Sequence, residues 1–228
     1  MHAVVIANAP DLDATPFIGL LRQADLIVAA DGGANALHRV NIVPHVVIGD
    51  LDSLEQTTGQ WLRHSAHRDA VDIRQLPREK DETDLQAALL LVAAAGATHL
   101  HLLGTTGGRL DHTLANITML TMPELAGRQV RMLEPHQELF LIRADEQHTL
   151  KGNLHDTVSL LPLTMAVHGV TISGLYYPLT DATLYANHAR GVSNILVQPE
   201  ATITLHDGLL LVIHHFDGGV HQWQHYGA

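Results

Sequence analysis

Asp50 and Asp52 are the first residues whose types and spacing suggest chemistry. They lie in His45-Val46-Val47-Ile48-Gly49-Asp50-Leu51-Asp52-Ser53, where an apolar run meets a glycine and then two carboxylates one residue apart. The run reads as a buried strand ending in an acidic loop. In an extended chain, residues i and i+2 share a face and stand ~6.5–7 Å apart. A bend after Gly49 could bring both carboxylates onto one hard cation or a shared magnesium cluster. The same residues also suit a plain turn leading to a helix N-cap, because Asp and Ser are ordinary turn formers.

Three further loops carry comparable groups. Asp31-Gly32-Gly33-Ala34 follows the apolar run Leu26 to Ala30. Lys80-Asp81-Glu82-Thr83-Asp84 precedes a helical period, where Asp81 resembles a capping-box residue and Asp84 falls on the first turn. Gly104-Thr105-Thr106-Gly107-Gly108-Arg109-Leu110-Asp111-His112 follows the run His99 to Leu103. Paired glycines before a helix let backbone N–H groups point at an anion, and the helix dipole favours negative charge there. Arg109 can take phosphate oxygens through its fork, and Lys80 can meet a phosphate. A flexible loop, with Asp111 merely favouring the helix start, remains the plain alternative.

The elements that must position these loops are legible as an alternation. Val4 to Ala7, Leu26 to Ala30, His45 to Ile48, Val71 to Leu76 and His99 to Leu103 read as strands. Phe17 to Gln23 and Asn35 to Arg39 read as helices. Leu85, Ala88, Leu89 and Val92 follow a helical period that Gly96 stops, and Leu110, Leu114, Ile117 and Leu120 mark another. Strands alternating with helices predict a Rossmann-like parallel α/β/α domain over 1–135. Ligands of such a sheet bind beyond the carboxyl ends of its strands, which is where the four loops fall. Carboxylates gathered there repel one another unless a cation neutralises them, so magnesium with a polyphosphate is the economical occupant.

The pattern changes after about Pro135. Short β-rich runs follow at Glu138–Ile142, Thr157–Leu161, Val167–Ile172, Ala182–Tyr185, Ile195–Val197, Thr202–Leu205 and Leu209–His214. They predict an antiparallel β-sandwich domain over 136–228, with Asp207-Gly208 as a hairpin turn between the last two runs.

Composition narrows the function classes. A chain of 228 residues with 46% hydrophobic and 16% charged residues folds around a real core. A formal net charge of −11 argues against a nucleic-acid binder, which needs a basic surface. Cysteine is absent, so disulfides and cysteine-held zinc are excluded. No apolar run reaches the ~18 residues of a membrane span, and no leader pattern opens the chain. A soluble cytoplasmic protein is the expectation. The 18 histidines scatter without a metal-binding spacing and read as surface or core-edge residues. Neither a GxxxxGK[ST] loop nor a GxGxxG fingerprint is present.

Taken together, the four loops and the later Arg190-Gly191-Val192-Ser193-Asn194 resemble the thiamine pyrophosphokinase family. The resemblance spans most of the chain. It implies an α/β nucleotide-binding domain joined to a β-sandwich that binds thiamine, a homodimer, and transfer of a pyrophosphoryl group from Mg-ATP to the thiamine hydroxyl. By position, it assigns Asp31, Asp50, Asp52 and Asp84 to magnesium, the last three also to catalysis. Gly32, Gly33, Lys80, Thr105, Gly107, Gly108, Arg109, Asp111 and His112 join Asp31 around the nucleotide. Tyr177, Ser193 and Asn194 fall to thiamine, whose cationic ring suits an aromatic face. Ile195 stands where bacterial relatives often carry Glu. A magnesium-dependent phosphohydrolase and a non-catalytic sensor are the rival readings. The number of carboxylates disfavours the sensor, and a second binding domain has no use if water is the acceptor.

Overall fold

The apolar runs of the first half become the strands of one parallel sheet. The computed structural model describes residues 1–64 and 70–216, in two units, Met1–Glu134 and a second that begins at Pro135. In the first unit β1 (His2–Ile6), β2 (Leu26–Ala30), β3 (Val46–Gly49), β4 (Asp72–Gln75), β5 (His99–Leu103) and β6 (Gln129–Glu134) lie in the order β6-β5-β1-β2-β3-β4. Each paired neighbour runs parallel. Val4, Val5, Val28, Ala29, Val47 and Leu100 have no exposed surface. Parallel strands are covered on both faces, which is why these runs are continuously apolar. β4 is the exception: all four residues are exposed, and charged Asp72 and Arg74 protect it as an edge.

Among the described residues five α-helices connect the strands: α1 (Ile18–Gln23), α2 (Gly33–Arg39), α3 (Gln56–Arg63), α4 (Asp84–Ala94) and α5 (Leu110–Met119). α4 packs on β1, β2 and β3, burying Leu85, Ala88, Leu89 and Val92, the residues of its helical period. α2 starts close against β1, because Gly33 has no side chain. A Cβ there would strike the carbonyl oxygen of Ile6. Strand order reverses at β1, whose neighbours are β2 and β5, so a crevice opens at the carboxyl end of this pair.

Several local expectations are corrected here. α3 had no sequence signal, since Gln56-Thr57-Thr58-Gly59-Gln60 carries no apolar period; it buries only Thr58, Gly59 and Leu62. The cap of α4 is Thr83, whose hydroxyl accepts from Gln86 N at 3.1 Å, and not Asp81. α5 keeps its apolar period but leaves Leu110 71% and Leu114 55% exposed. β6 lies in the first unit, just ahead of the change of pattern at Pro135.

The second unit is a pair of antiparallel sheets. Its strands are β7 (Gln137–Arg143), β8 (Gln147–Lys151), β9 (Thr157–Pro162), β10 (Ala166–Ser173), β11 (Leu179–Tyr185), β12 (Asn194–Ile195), β13 (Glu200–Thr204) and β14 (Leu209–His215). One sheet has the order β12-β9-β14-β7 and the other β11-β10-β13-β8. Phe140, Val158, Leu160 and Val212 of the first meet Leu150, Val170, Ile172 and Ile203 of the second in one core. This is the sandwich that the alternating β-runs predicted. Asp207-Gly208 is not a hairpin turn, however. β13 and β14 belong to different sheets, so the turn carries the chain across the sandwich; Gly208 has φ +100° and Asp207 bridges to His168.

Two histidines among the described residues depart from the surface or core-edge expectation: His101 on β5 is 3% exposed, and His214 is buried completely. His214 lies between two buried carboxylates, with Nδ1 3.3 Å from Glu138 Oε1 and Nε2 3.0 Å from Asp156 Oδ2. The three groups tie β14 to β7 and to the loop before β9. Gly152 makes room for them, since a Cβ there would stand 2.8 Å from Asp156 Oδ2.

The contact between Gly33 and Ile6 can be tested directly. Gly33→Ala overpacks the junction of α2 and β1 and should cost about 1–3 kcal/mol. In a chain of this size each kcal/mol lowers Tm by roughly 2–4 °C. Thermal and urea unfolding measure the loss, and an unchanged Tm would show that the helix start shifts freely.

Candidate functional site

Five strand ends of the first unit build one cavity of about 690 Å³. Its wall comes from Ala7–Pro10 after β1, Asp31 after β2, Asp50, Asp52 and Ser53 after β3, Lys80, Thr83 and Asp84 before and at the start of α4, and Gly104–Arg109 with His112 after β5. The four loops singled out in the sequence therefore meet, at the point where the strand order reverses.

Asp31, Asp50 and Asp84 form the centre of the cavity. One carboxylate oxygen from each lies within 4.8 Å of the others. Asp31 is 4% exposed, with φ +46° and its N–H bonded to Ile48 O at 2.9 Å. Asp tolerates this left-handed conformation better than most residues, and the turn aims its side chain at the cluster. Gly49 permits the approach: a Cβ there would stand 2.9 Å from Asp31 Cβ and 3.1 Å from Asp84 Cγ.

The electrostatics of the trio are unbalanced. Among the described residues Asp31 Oδ1 is buried with no hydrogen-bond partner, and Asp84 meets one cation, Lys80 Nζ, at 3.0 Å from Oδ1. Lys80 is itself held by Pro77 O at 3.1 Å. Burial pushes the Asp84 carboxyl above the usual carboxylate range, against the bond and charge of Lys80, and the charges of Asp31 and Asp50 add to the rise. A buried orphan oxygen beside two further carboxylates is the donor set of a hard cation. Magnesium fits these residues.

Asp52 is placed differently from the expectation of two side-by-side carboxylates. Leu51 has φ +67°, so the chain is bent between the two and the strand's i, i+2 rule does not hold. The N–H of Asp52 turns back onto Asp50 Oδ1 at 3.2 Å. Its carboxylate lines the cavity outside the trio, paired with Arg78 at 2.9 Å.

The loop after β5 keeps its anion-binding character. Gly104, Gly107 and Gly108 have φ of +66°, +86° and +60°. The backbone N–H groups of such a glycine turn are free to converge on a phosphate. Thr105 Oγ1 is buried without a partner, while Thr106 Oγ1 donates to Glu134 Oε1 at 2.7 Å. Burial pushes the Glu134 carboxyl up, and the hydroxyl of Thr106 offsets part of this. Arg109 is closed on Asp111, with contacts of 3.1 and 2.5 Å, and both side chains are exposed. In water such a pair contributes little stability, so the guanidinium can exchange partners. His112 lines the cavity beside them.

Two asparagines that were assigned no role from the sequence, Asn35 at the end of the Asp31-Gly32-Gly33-Ala34-Asn35 motif and Asn116, fix the loops of this site. Asn35 Nδ2 donates to Ser53 O at 2.9 Å, and its Oδ1 accepts from Glu55 N at 3.0 Å. Asn116 Nδ2 donates to Thr105 O at 2.7 Å. Asn35 is 8% exposed, and a small polar residue just inside a helix before an acidic loop was the available signal.

A second cavity, of about 380 Å³, lies within the sandwich unit between Tyr177–Leu179 and Arg190, Gly191, Val192 and Asn194, with Ile172 behind; Ser193 is not part of its lining. Tyr177 is 63% exposed and stacks edge-on with Tyr176, centroids 4.9 Å apart. Asn194 is 5% exposed and spends its amide on the backbone. Oδ1 accepts from Tyr177 N and Ile195 N, each at 2.9 Å, and Nδ2 donates to Tyr177 O at 2.8 Å. Asn194 therefore frames the tyrosine turn. Ser193 has φ +57°, and its N–H reaches Ser159 Oγ at 3.0 Å.

Comparison with known proteins bears on both units. Residues 17–132 match the family model described as thiamin pyrophosphokinase, catalytic domain, and residues 144–210 match thiamin pyrophosphokinase, vitamin B1 binding domain. The chain is 25% identical over 213 residues to the thiamine pyrophosphokinase of Bacillus subtilis, covering 93% of this chain and 98% of that protein. The crystal structure of the Bacillus subtilis enzyme superposes with a TM-score of 0.84 at 24% identity, over 95% of this chain and 100% of that one. The thiamin pyrophosphokinase of Geobacillus thermodenitrificans gives 0.81 at 26% identity, over 96% and 99%.

The unbalanced trio leads to a stability prediction. The folded-state pKa of Asp84 is raised, so the ionised group opposes folding above that pKa, and the penalty disappears as pH falls and the carboxyl protonates. Asp84→Asn should therefore raise the Tm of chelator-treated protein at neutral pH, with the gain shrinking toward acid. A Tm lowered at neutral pH would mean that the ion pair with Lys80 outweighs burial and repulsion.

Proposed function

The chain belongs to the thiamin pyrophosphokinase family, and from that premise we propose roles for the residues of its two cavities. The protein is an ATP-dependent thiamine diphosphokinase that transfers a pyrophosphoryl group to the hydroxyl of thiamine, giving thiamine diphosphate and AMP. The cavity of the first unit takes ATP, and the cavity of the sandwich takes thiamine. The observation that carries the first assignment is the cluster of Asp31, Asp50 and Asp84 with its orphan oxygen, beside a glycine turn open to phosphate.

Magnesium held by Asp31, Asp50 and Asp84 would neutralise charge on the phosphate oxygens. The chain's own groups supply the rest. Backbone N–H groups of Gly104–Gly108 hold phosphate oxygens, Lys80 adds a fixed positive charge, and Arg109 passes from Asp111 to a phosphate. The hydroxyl oxygen of thiamine forms a bond to the β-phosphorus as the bond from that phosphorus to the bridging oxygen of AMP breaks. The hydroxyl proton passes to a carboxylate of the cavity wall. Tyr177 gives an aromatic face to the cationic ring, and Asn194 holds that face in position.

Two further assignments belong to this reading. The protein works as a homodimer, whose contact would cover apolar surface such as Leu110 and Leu114 of α5. It works in the cytoplasm, where ATP is supplied.

Incubation with Mg-ATP, with and without thiamine, tests the reading by resolving the nucleotides. AMP should form only when thiamine is present; AMP formed equally without it would mark a hydrolase. In this assay Asp50→Asn should lose at least ~10²-fold in kcat, as expected for a single stabiliser of transition-state charge. Asp52→Asn should lose less than Asp50→Asn, because its carboxylate is already shared with Arg78. Tyr177→Ala should raise the KM for thiamine and leave that for ATP in place. Equal losses in both KM values would detach Tyr177 from the acceptor.

A further inference from the structure

The cavity of the sandwich unit contains a charge that its cationic ligand does not explain. Ile172, Tyr177, Leu179, Val192 and Asn194 give it apolar, aromatic and amide surface, and Arg190 is the one charged side chain among its described lining residues. Among the described residues Arg190 has neither hydrogen bond nor ion pair. Its backbone is fixed even though its side chain is exposed. Gly191 O accepts from Leu160 N at 2.9 Å, Ser193 N donates to Ser159 Oγ at 3.0 Å, and Asn194 pairs with Val158 in the sheet. A Cβ on Gly191 would stand 2.8 Å from Leu160 O, so the glycine is what lets the chain lie this close to β9.

A guanidinium on the wall of a cavity for a cation is unfavourable by like-charge repulsion. The sign reverses once the ligand carries phosphate. Thiamine is a cation, whereas its diphosphate ester is a net anion, and Arg presents a planar fork matched to phosphate oxygens. We propose that Arg190 reads the anionic tail of the ligand in this cavity, so that the phosphate esters of thiamine bind there more tightly than thiamine itself. The proposal rests on the reading of this cavity as the thiamine site. It makes Arg190 a specificity residue that favours the product over the substrate. Release of thiamine diphosphate then requires breaking a charge-assisted contact that thiamine never makes.

Isothermal calorimetry on the full chain tests this without turnover, with thiamine, thiamine monophosphate and thiamine diphosphate as probes and no ATP present. Wild type should bind the diphosphate more tightly than thiamine, with the gap narrowing as salt is added. Arg190→Gln should weaken the diphosphate by about tenfold or more, the order of one charge-assisted hydrogen bond, and leave thiamine unchanged or tighter. Arg190→Lys, which keeps the charge without the fork, should fall between. If Arg190→Gln leaves the diphosphate as tight as wild type, or weakens thiamine equally, the proposal fails while the site assignment stands. If wild type binds none of the three probes, the site assignment fails and the proposal with it.

Discussion

Mutual repulsion of Asp31, Asp50 and Asp84 is the constraint around which the first unit is built. Three carboxylates with ligand atoms within 4.8 Å of one another and one ammonium beside them are not a stable arrangement in isolation. Each element near them gives something up to hold them there. Asp31 takes a left-handed backbone, and Gly49 forgoes a side chain. The sheet meets the cost by burying its apolar strands on both faces. Under the function proposed above, a polyphosphate with its cation would bring positive charge to the carboxylates and negative charge to the glycine turn.

Much of this was legible in the sequence, for a physical reason. Strands buried on both faces must be apolar throughout, so β1, β2, β3 and β5 stood out, and the loops after them carried the polar groups. The family resemblance then named residues that no periodicity could rank. What escaped was set by contacts distant in sequence. α3 has too little apolar surface to show a period, and β6 and β8 are short runs with charged or polar residues between the apolar ones. Asp207-Gly208 carries the local signature of a hairpin, but only the two sheets together decide that its flanking strands part company. Asp50 and Asp52 show the same limit on a smaller scale, because alternation holds only in extended chain and Leu51 is not extended.

The acceptor side divides differently between sequence and structure. Tyr177 is exposed on the wall of the second cavity, and its assignment to the acceptor came from the motif alone. Asn194 was expected to touch the ligand, yet its amide is taken up by the tyrosine turn. A motif residue can belong to a site by shaping the backbone of its neighbour. Side-chain identity does not distinguish this from direct contact; only the hydrogen-bond partners do.

The strand order of the sandwich also bears on how the chain emerges during synthesis. β14 sits between β9 and β7, pairing with both along most of its length, yet it follows both in the chain. Until residues 209–215 leave the ribosome, the facing edges of β7 and β9 have no partner, and the inner surfaces of Phe140, Val158 and Leu160 lack Leu210 and Val212. Open edges beside uncovered apolar faces are the usual route to aggregation. The first unit has no such delay at its centre, since β1 gains β2 early and β5 well before the chain reaches Pro135. The nascent protein thus carries a first unit able to form early, followed by a sandwich that closes only with β14.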